Sequence, residues 1–215
     1  MKVEFVEFTF NAERHEYTLS GKHIPNCTGV LASGGLVPYS MVSAEYLERR
    51  SELGREVHKA CHLHNIGRLG SFDKAVEPHL NAWIRFKKEA KGFEILASEA
   101  QCVGYVNGMP YGMTLDVLAL IDHKEHVIEL KIGKALPHHG VQLAGYAAGF
   151  PHEKIKTPFA RFIARKRIAV ELRENGMPHI EPYDEKSDYE TFASLLYVSA
   201  WKKRFKNIYE KENAL

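Results

Sequence analysis

Residues 111–146 read YGMTLDVLALIDHKEHVIELKIGKALPHHGVQLAGY. The pattern predicts a strand, a tight turn, a second strand, a short loop and a helix. The first strand carries one acid, Asp116, and the second carries Glu129 and Lys131 one residue apart. Strand side chains alternate with period two, so Glu129 and Lys131 leave from one face while Ile128, Leu130 and Ile132 take the other. An acid and an amine are costly to bury in a core strand unless they are paired or bound to metal. A Glu129–Lys131 pair on a solvated sheet face would meet that condition. Two features point instead to a shared site: Asp116 on the preceding strand, and Gln142 and Tyr146 at i and i+4 of the following helix. Two acids, a lysine and a polar helix face can converge on one point. Hard divalent cations such as Mg²⁺ want carboxylate oxygens and keep waters for substrate phosphates. A lysine beside them can stabilise charge at phosphorus or orient the attacking water.

The flanking sequence extends the sheet. Asn107-Gly108 between two strand-like runs is the strongest short hairpin signal. An antiparallel meander over about 94–106, 109–121 and 126–132 follows, with Asp122–Glu125 as its second turn. Pro137–Gly140 leads into a helix over 142–150, rich in small residues that allow close packing on the sheet. The histidines of that lead-in suit either phosphate or metal contact, or a solvated loop. Upstream, Ser40 or Ser43 would cap a helix running to about Asn65 that contains Gly54 and His58. Glycine inside a helix costs about 1 kcal/mol relative to alanine, which is tolerated where a backbone or a ligand approaches closely. A second helix spans about Asp73–Lys91.

Asp116 followed by Glu129-Leu130-Lys131 resembles the D…(D/E)-x-K signature of the PD-(D/E)XK nucleases. Gln142-x-x-x-Tyr146 resembles the element that follows it in the RecB-like branch, and Gly54-Arg55-Glu56-Val57-His58 the upstream helical G-x-x-x-H. The segment from His15 to Thr28 is also similar to the N-terminal part of phage and mitochondrial genome maintenance exonucleases of that superfamily. The resemblance covers about residues 54–146. It implies an α/β fold with a restriction-endonuclease-like core: a central mixed sheet flanked by helices, with an N-terminal hairpin and a long C-terminal helix. It implies divalent-metal-dependent hydrolysis of DNA phosphodiesters, of the exonuclease type found in phage or in recombination and repair. Asp116, Glu129, His58 and the Leu130 carbonyl would hold Mg²⁺ or Mn²⁺. Lys131 would act on the water or the phosphate, with Gln142 and Tyr146 orienting it or touching a phosphate. Glu99 is a further candidate acid. The expected partner is DNA, with a homo-oligomer or a recombination protein as further candidates. The expected location is the cytoplasm of a bacterial or phage-infected cell. A restriction-like or structure-specific endonuclease, and a catalytically idle DNA-binding member of the fold, are the alternatives. A histidine-rich metal binder unrelated to nucleic acid is a third.

Composition limits these readings. The 215 residues suit one domain, with 45% hydrophobic and 26% charged residues. No run approaches the roughly 18 apolar residues that cross a bilayer, and no signal peptide is expected in MKVEFVEFTF. Three cysteines, Cys27, Cys61 and Cys102, argue against a disulfide framework and are one short of an iron–sulfur cluster. A net charge of +2 does not announce a nucleic-acid binder. Cys61-His62-Leu63-His64 lacks the second pair of ligands that structural zinc requires, and it reads as a helix end.

Toward the N-terminus, residues 4–19 alternate around Asn11–His15 and predict a β-hairpin continued past Ser20-Gly21, with a loop at Gly34-Gly35 and Pro38. Toward the C-terminus, residues 158–170 (PFARFIARKRIAV) read as a strand with Arg161, Arg165 and Arg167 on one face. Such a face suits a DNA backbone or a solvated outer surface. Met177–Tyr183 would pair with it after the Asn175-Gly176 turn. Ser187-Asp188-Tyr189-Glu190 reads as a capping box opening a last helix to about Glu212.

Overall fold

The computed structural model of the protein describes residues 7–37 and 44–212. The proposed caps Ser40 and Ser43, and Pro38, lie outside them, as do residues 4–6 of the expected hairpin. An N-terminal antiparallel sheet joins β1 (Phe8–Asn11), β2 (Glu16–Leu19) and β3 (Lys22–Ile24). Helix α1 (Cys27–Ser33) follows, capped by the Asn26 side chain on the Gly29 amide. Then come α2 (Ala44–Asn65) and, after a 3₁₀ turn at Lys74–Val76, α3 (Glu77–Glu89).

The main sheet has the order β4-β5-β6-β7-β8. Strands β4 (Glu94–Val106), β5 (Met109–Ile121) and β6 (Lys124–Lys131) form the antiparallel meander. Both of its turns are two residues long with left-handed backbone: φ is 52° and 76° at Asn107 and Gly108, and 47° and 64° at Asp122 and His123. That conformation matches the twist of the strands it joins. The second turn is therefore tighter than the sequence suggested, and β6 begins at Lys124. Its alternation follows the expectation. Val127 packs into the core cluster on one side of the sheet, while Ile128, Leu130 and Ile132 pack into the other.

From β6 the chain crosses through α4 (Pro137–Gly149) and α5 (Pro158–Ala164) to β7 (Lys166–Leu172), which runs parallel to β6. β8 (Pro178–Pro182) pairs antiparallel with β7, and α6 (Ser187–Glu212) ends the described chain. The fold is thus α/β, with a mixed five-stranded sheet between helical layers. One core cluster joins the sheet to α1, α4 and α6, the other joins it to α2 and α3. Helix α4 is buried along nearly its whole length. A Cβ on Gly145 would lie 2.7 Å from the Phe192 ring of α6, and one on Gly149 would lie 2.2 Å from Met113 of β5. The small residues of α4 are what let it fit between sheet and helix.

The expectation of one strand over 158–170 is corrected. Thr157 caps α5 by accepting from the Ala160 amide, and Pro158 occupies its first turn, the usual place for proline in a helix. The basic strand face is lost with it. Arg161 donates to the carbonyls of Ala148 and Lys156 at 2.7 and 2.8 Å. Arg165 donates to Ala147, Phe150 and Pro151 carbonyls and to Glu125, with its side chain 1% exposed. Both guanidinium groups satisfy the carbonyls at the C-terminal end of α4, which carries the negative end of the helix dipole. Arg165 is thereby a structural cation of the interior, while Arg161 is only partly buried and holds the same helix end, and the two no longer share a strand face. Arg167 is likewise buried, on Asp188 and the Gly140 and Glu185 carbonyls.

Candidate metal centre

Sheet register brings the acids into one row. Ser98 pairs with Val117 and Ala100 with Leu115, which sets Glu99 across from Asp116. The β5–β6 ladder ends at Val117 against Ile128, and one step further along both strands come Asp116 and Glu129. Where the ladder stops, the Leu130 amide donates to Asp116 Oδ2 at 2.8 Å instead of to a backbone carbonyl. The carboxylate thereby closes the gap left as the strands part.

Helix α2 adds His58 from the other layer. Its Nδ1 lies 3.3 Å from Asp116 Oδ1 and 3.6 Å from Glu99 Oε1, and its Nε2 lies 3.1 Å from the Leu130 carbonyl oxygen. One ligand atom from each of His58, Glu99 and Asp116 falls within 4.8 Å of the others. Burial by itself would lower the His58 pKa, but the Asp116 carboxylate and then Glu99 outweigh it and raise it well above the ordinary value. Burial likewise opposes ionisation of Asp116, yet His58 and Lys131 hold it below the usual carboxylate range. Nδ1 faces the acids and Nε2 faces a backbone carbonyl, the arrangement by which a ligating histidine is oriented.

Glu129 stands beside this cluster with a different environment. Its Oε1 accepts from Lys131 Nζ at 2.7 Å and from Gln142 Nε2 at 3.0 Å. Its Oε2 is buried with no hydrogen-bond partner among the described residues. Burial, then the charge of Asp116, pushes the Glu129 pKa up against the pull of Lys131. Gln142 Nε2 also lies 2.9 Å from Tyr146 Oη, so the helix pair reaches Glu129, where the sequence suggested Lys131 or a phosphate. Burial raises the Tyr146 pKa well above its usual value, keeping the phenol neutral.

The donor set fits a hard divalent cation. An orphaned carboxylate oxygen inside a protein is expensive unless something positive meets it. Two carboxylates and an imidazole nitrogen already face one another, and Glu129 Oε2 is unsatisfied next to them. The Leu130 carbonyl, expected as a further ligand, is engaged by His58.

These groups floor a cavity of about 570 Å³. Glu99, the further candidate acid of the sequence, joins the cluster with φ of +49°, a left-handed conformation that costs a non-glycine residue about 1–3 kcal/mol and gathers at functional sites. Two other features of the cavity were not anticipated. The tip of the N-terminal hairpin, through Phe10 and His15, forms one wall. Arg55 and Lys59 line the same cavity from α2, one helical turn apart on either side of His58, a spacing the sequence displays. Of the two loop histidines, His139 lies inside the first turn of α4. Its Nδ1 accepts from the Leu136 amide at 2.9 Å, and burial lowers its pKa to about 3. It is a neutral acceptor holding the helix start.

No known protein-family model matches the chain, and no curated protein matches it. Among solved structures it is similar to the crystal structure of SSO0001, at 22% identity over 68% of this chain and 67% of that one, with a TM-score of 0.34. A likeness that slight carries no argument.

Proposed function

We propose that the chain is a divalent-metal-dependent deoxyribonuclease of the PD-(D/E)XK kind, acting as an exonuclease. The observation that carries the reading is the row of acids, Asp116 and Glu129 buried and Glu99 partly so, with His58 on one side, Lys131 on the other and, among the described residues, one carboxylate oxygen without a partner. His58, Glu99, Asp116 and Glu129 would hold Mg²⁺ or Mn²⁺. The ion would supply Lewis acidity toward a phosphoryl oxygen and the attacking water. Lys131 places a cation next to the charge that grows on phosphorus, where a preorganised donor is worth most. Gln142, backed by Tyr146, fixes the carboxylate that Lys131 bonds. Arg55 and Lys59 lie at the cavity wall where a substrate phosphate would pass.

Digestion of end-labelled linear and closed circular DNA with Mg²⁺ or Mn²⁺, with and without chelator, tests the reading. Linear DNA should be degraded from its ends, the circle should stay intact, and chelation should stop the reaction. A nicked or linearised circle would replace the exonuclease with an endonuclease. Cleavage persisting in excess chelator would remove the metal mechanism. Binding of DNA without cleavage in either ion would leave an idle member of the fold.

A further inference from the structure

Helix α6 turns an unusual face outward. Its inner residues Phe192 and Leu196 are fully buried against the core. On the opposite side, Glu190, Ser194, Tyr197, Trp201 and Arg204 recur at intervals of four, three, four and three residues, and all five are exposed. That spacing keeps them on one narrow stripe along the helix. The outer face of a helix is normally polar, yet Tyr197 is 64% exposed, Trp201 45%, and the adjoining Val198 39%. Large apolar groups clustered on a surface mark an interaction site more often than scattered ones do.

We infer that this stripe is the contact of a two-fold homodimer in which two α6 helices pair antiparallel. Three properties of the stripe select a second copy of the chain as its occupant. First, its ends are oppositely charged, with Glu190 toward the helix start and Arg204 toward the far end. A two-fold axis near Tyr197 sets Glu190 of each protomer against the partner's Arg204, so the pair occurs twice, as an isologous contact requires. Second, residue size is self-complementary. The same axis places small Ser194 opposite the partner's bulky Trp201, and Tyr197 against its own symmetry mate. Third, a groove of about 640 Å³ runs beside Ser194, between α6 and the end of the β4–β5 hairpin at Asn107 and Met109. It can receive the indole that the axis delivers there. Lys202 and Lys203 do not disturb the pattern, since they turn inward to the carbonyls of Ser33 and His23. The stripe from Glu190 to Arg204 is about 21 Å long at 1.5 Å per residue, enough for a knobs-into-holes seam of three to four layers. This inference does not rest on the nuclease reading.

Light scattering coupled to size-exclusion chromatography, over a dilution series of the full chain, tests it. The expected mass at high concentration is twice 24.4 kDa. Trp201→Ser should raise the dimer dissociation constant on the order of a hundredfold, as loss of a central aromatic anchor does. Glu190→Arg alone and Arg204→Glu alone should each weaken it by about tenfold, since each sets like charges opposite one another. The double variant Glu190→Arg/Arg204→Glu should restore it, because both ends of the pair are exchanged in every copy. Circular dichroism checks that α6 stays helical in each. A monomer at all concentrations, a dimer indifferent to Trp201→Ser, or a double variant no better than the single ones would each overturn the proposal.

Discussion

Glu129 has one oxygen held by Lys131 and Gln142 and the other buried without a partner among the described residues, a state that favours a cation and penalises its absence. Lys131 balances Glu129, and under the proposed function it would also act on the phosphate. The two roles separate by substitution. Lys131→Ala leaves Gln142 on the same oxygen and leaves His58, Glu99 and Asp116 untouched. If Lys131 acts mainly on charge in the transition state, kcat should fall by about 10²–10³. DNA affinity measured in Ca²⁺, where cleavage is suspended, should change far less. Asp116→Asn removes a charge that faces His58 at 3.3 Å, so cleavage and metal-dependent DNA affinity should fall together. Near-normal turnover in Lys131→Ala would remove the catalytic role of the Glu129-Leu130-Lys131 segment. Asp116, Glu129 and Lys131 were legible because strand alternation fixes which side chains share a face. Glu99 was legible only as a further candidate, since its exact place depends on cross-strand register and on a left-handed backbone that no local pattern announces.

At the scale of elements, α2 carries a glycine that packing does not require. Among the described residues, a Cβ on Gly54 would meet only the Ile132 side chain, at 3.8 Å, an ordinary contact. Gly54 nevertheless lines the cavity next to His58. Gly54→Ala should then stabilise the protein by up to about 1 kcal/mol through helix propensity, read as a raised denaturation midpoint. If a substrate strand passes over this turn of α2, the same methyl group should raise KM. Higher stability with unchanged kinetics would mean that nothing approaches the helix there. The meander was readable from Asn107-Gly108 and from period-two alternation, and the last helix from Ser187 to Glu190. Helix α5 was missed because its arginines suggested a strand face, whereas Thr157-Pro158 is a cap followed by a first-turn proline. The arginines answer to α4 instead: its terminal carbonyls need donors, and that need arises only once α4 is packed. The start of α4 at Pro137, five residues before Gln142, follows the same rule of proline in the first turn.

The whole molecule places its candidate centre at a junction. His58 comes from the layer that packs with α3 on one side of the sheet, Gln142 from the layer that packs with α6 on the other, and the acids from β4, β5 and β6 between them. An ion bound there would contact or order groups from both cores, and these groups lie far apart in the sequence. Binding to the folded state alone stabilises it by RT ln(1 + [L]/Kd), or about 2.7 kcal/mol at a hundredfold excess over Kd. For a domain of this size, each kcal/mol moves Tm by roughly 2–4 °C. Mn²⁺ at that excess should therefore raise Tm by about 5–11 °C, and chelator should reverse the shift. Asp116→Asn should lose most of it while keeping a cooperative transition. Arg161→Ala gives the opposite pattern. It strips donors from the Ala148 and Lys156 carbonyls, so it should lower Tm in chelator yet keep the increment with Mn²⁺, because its guanidinium serves the end of α4 and not the acids. An Mn²⁺ increment that survives Asp116→Asn would place the bound ion elsewhere on the molecule. An increment lost in Arg161→Ala would mean that the acid row depends on how the far end of α4 is held, which would tie the two ends of that helix into one functional unit.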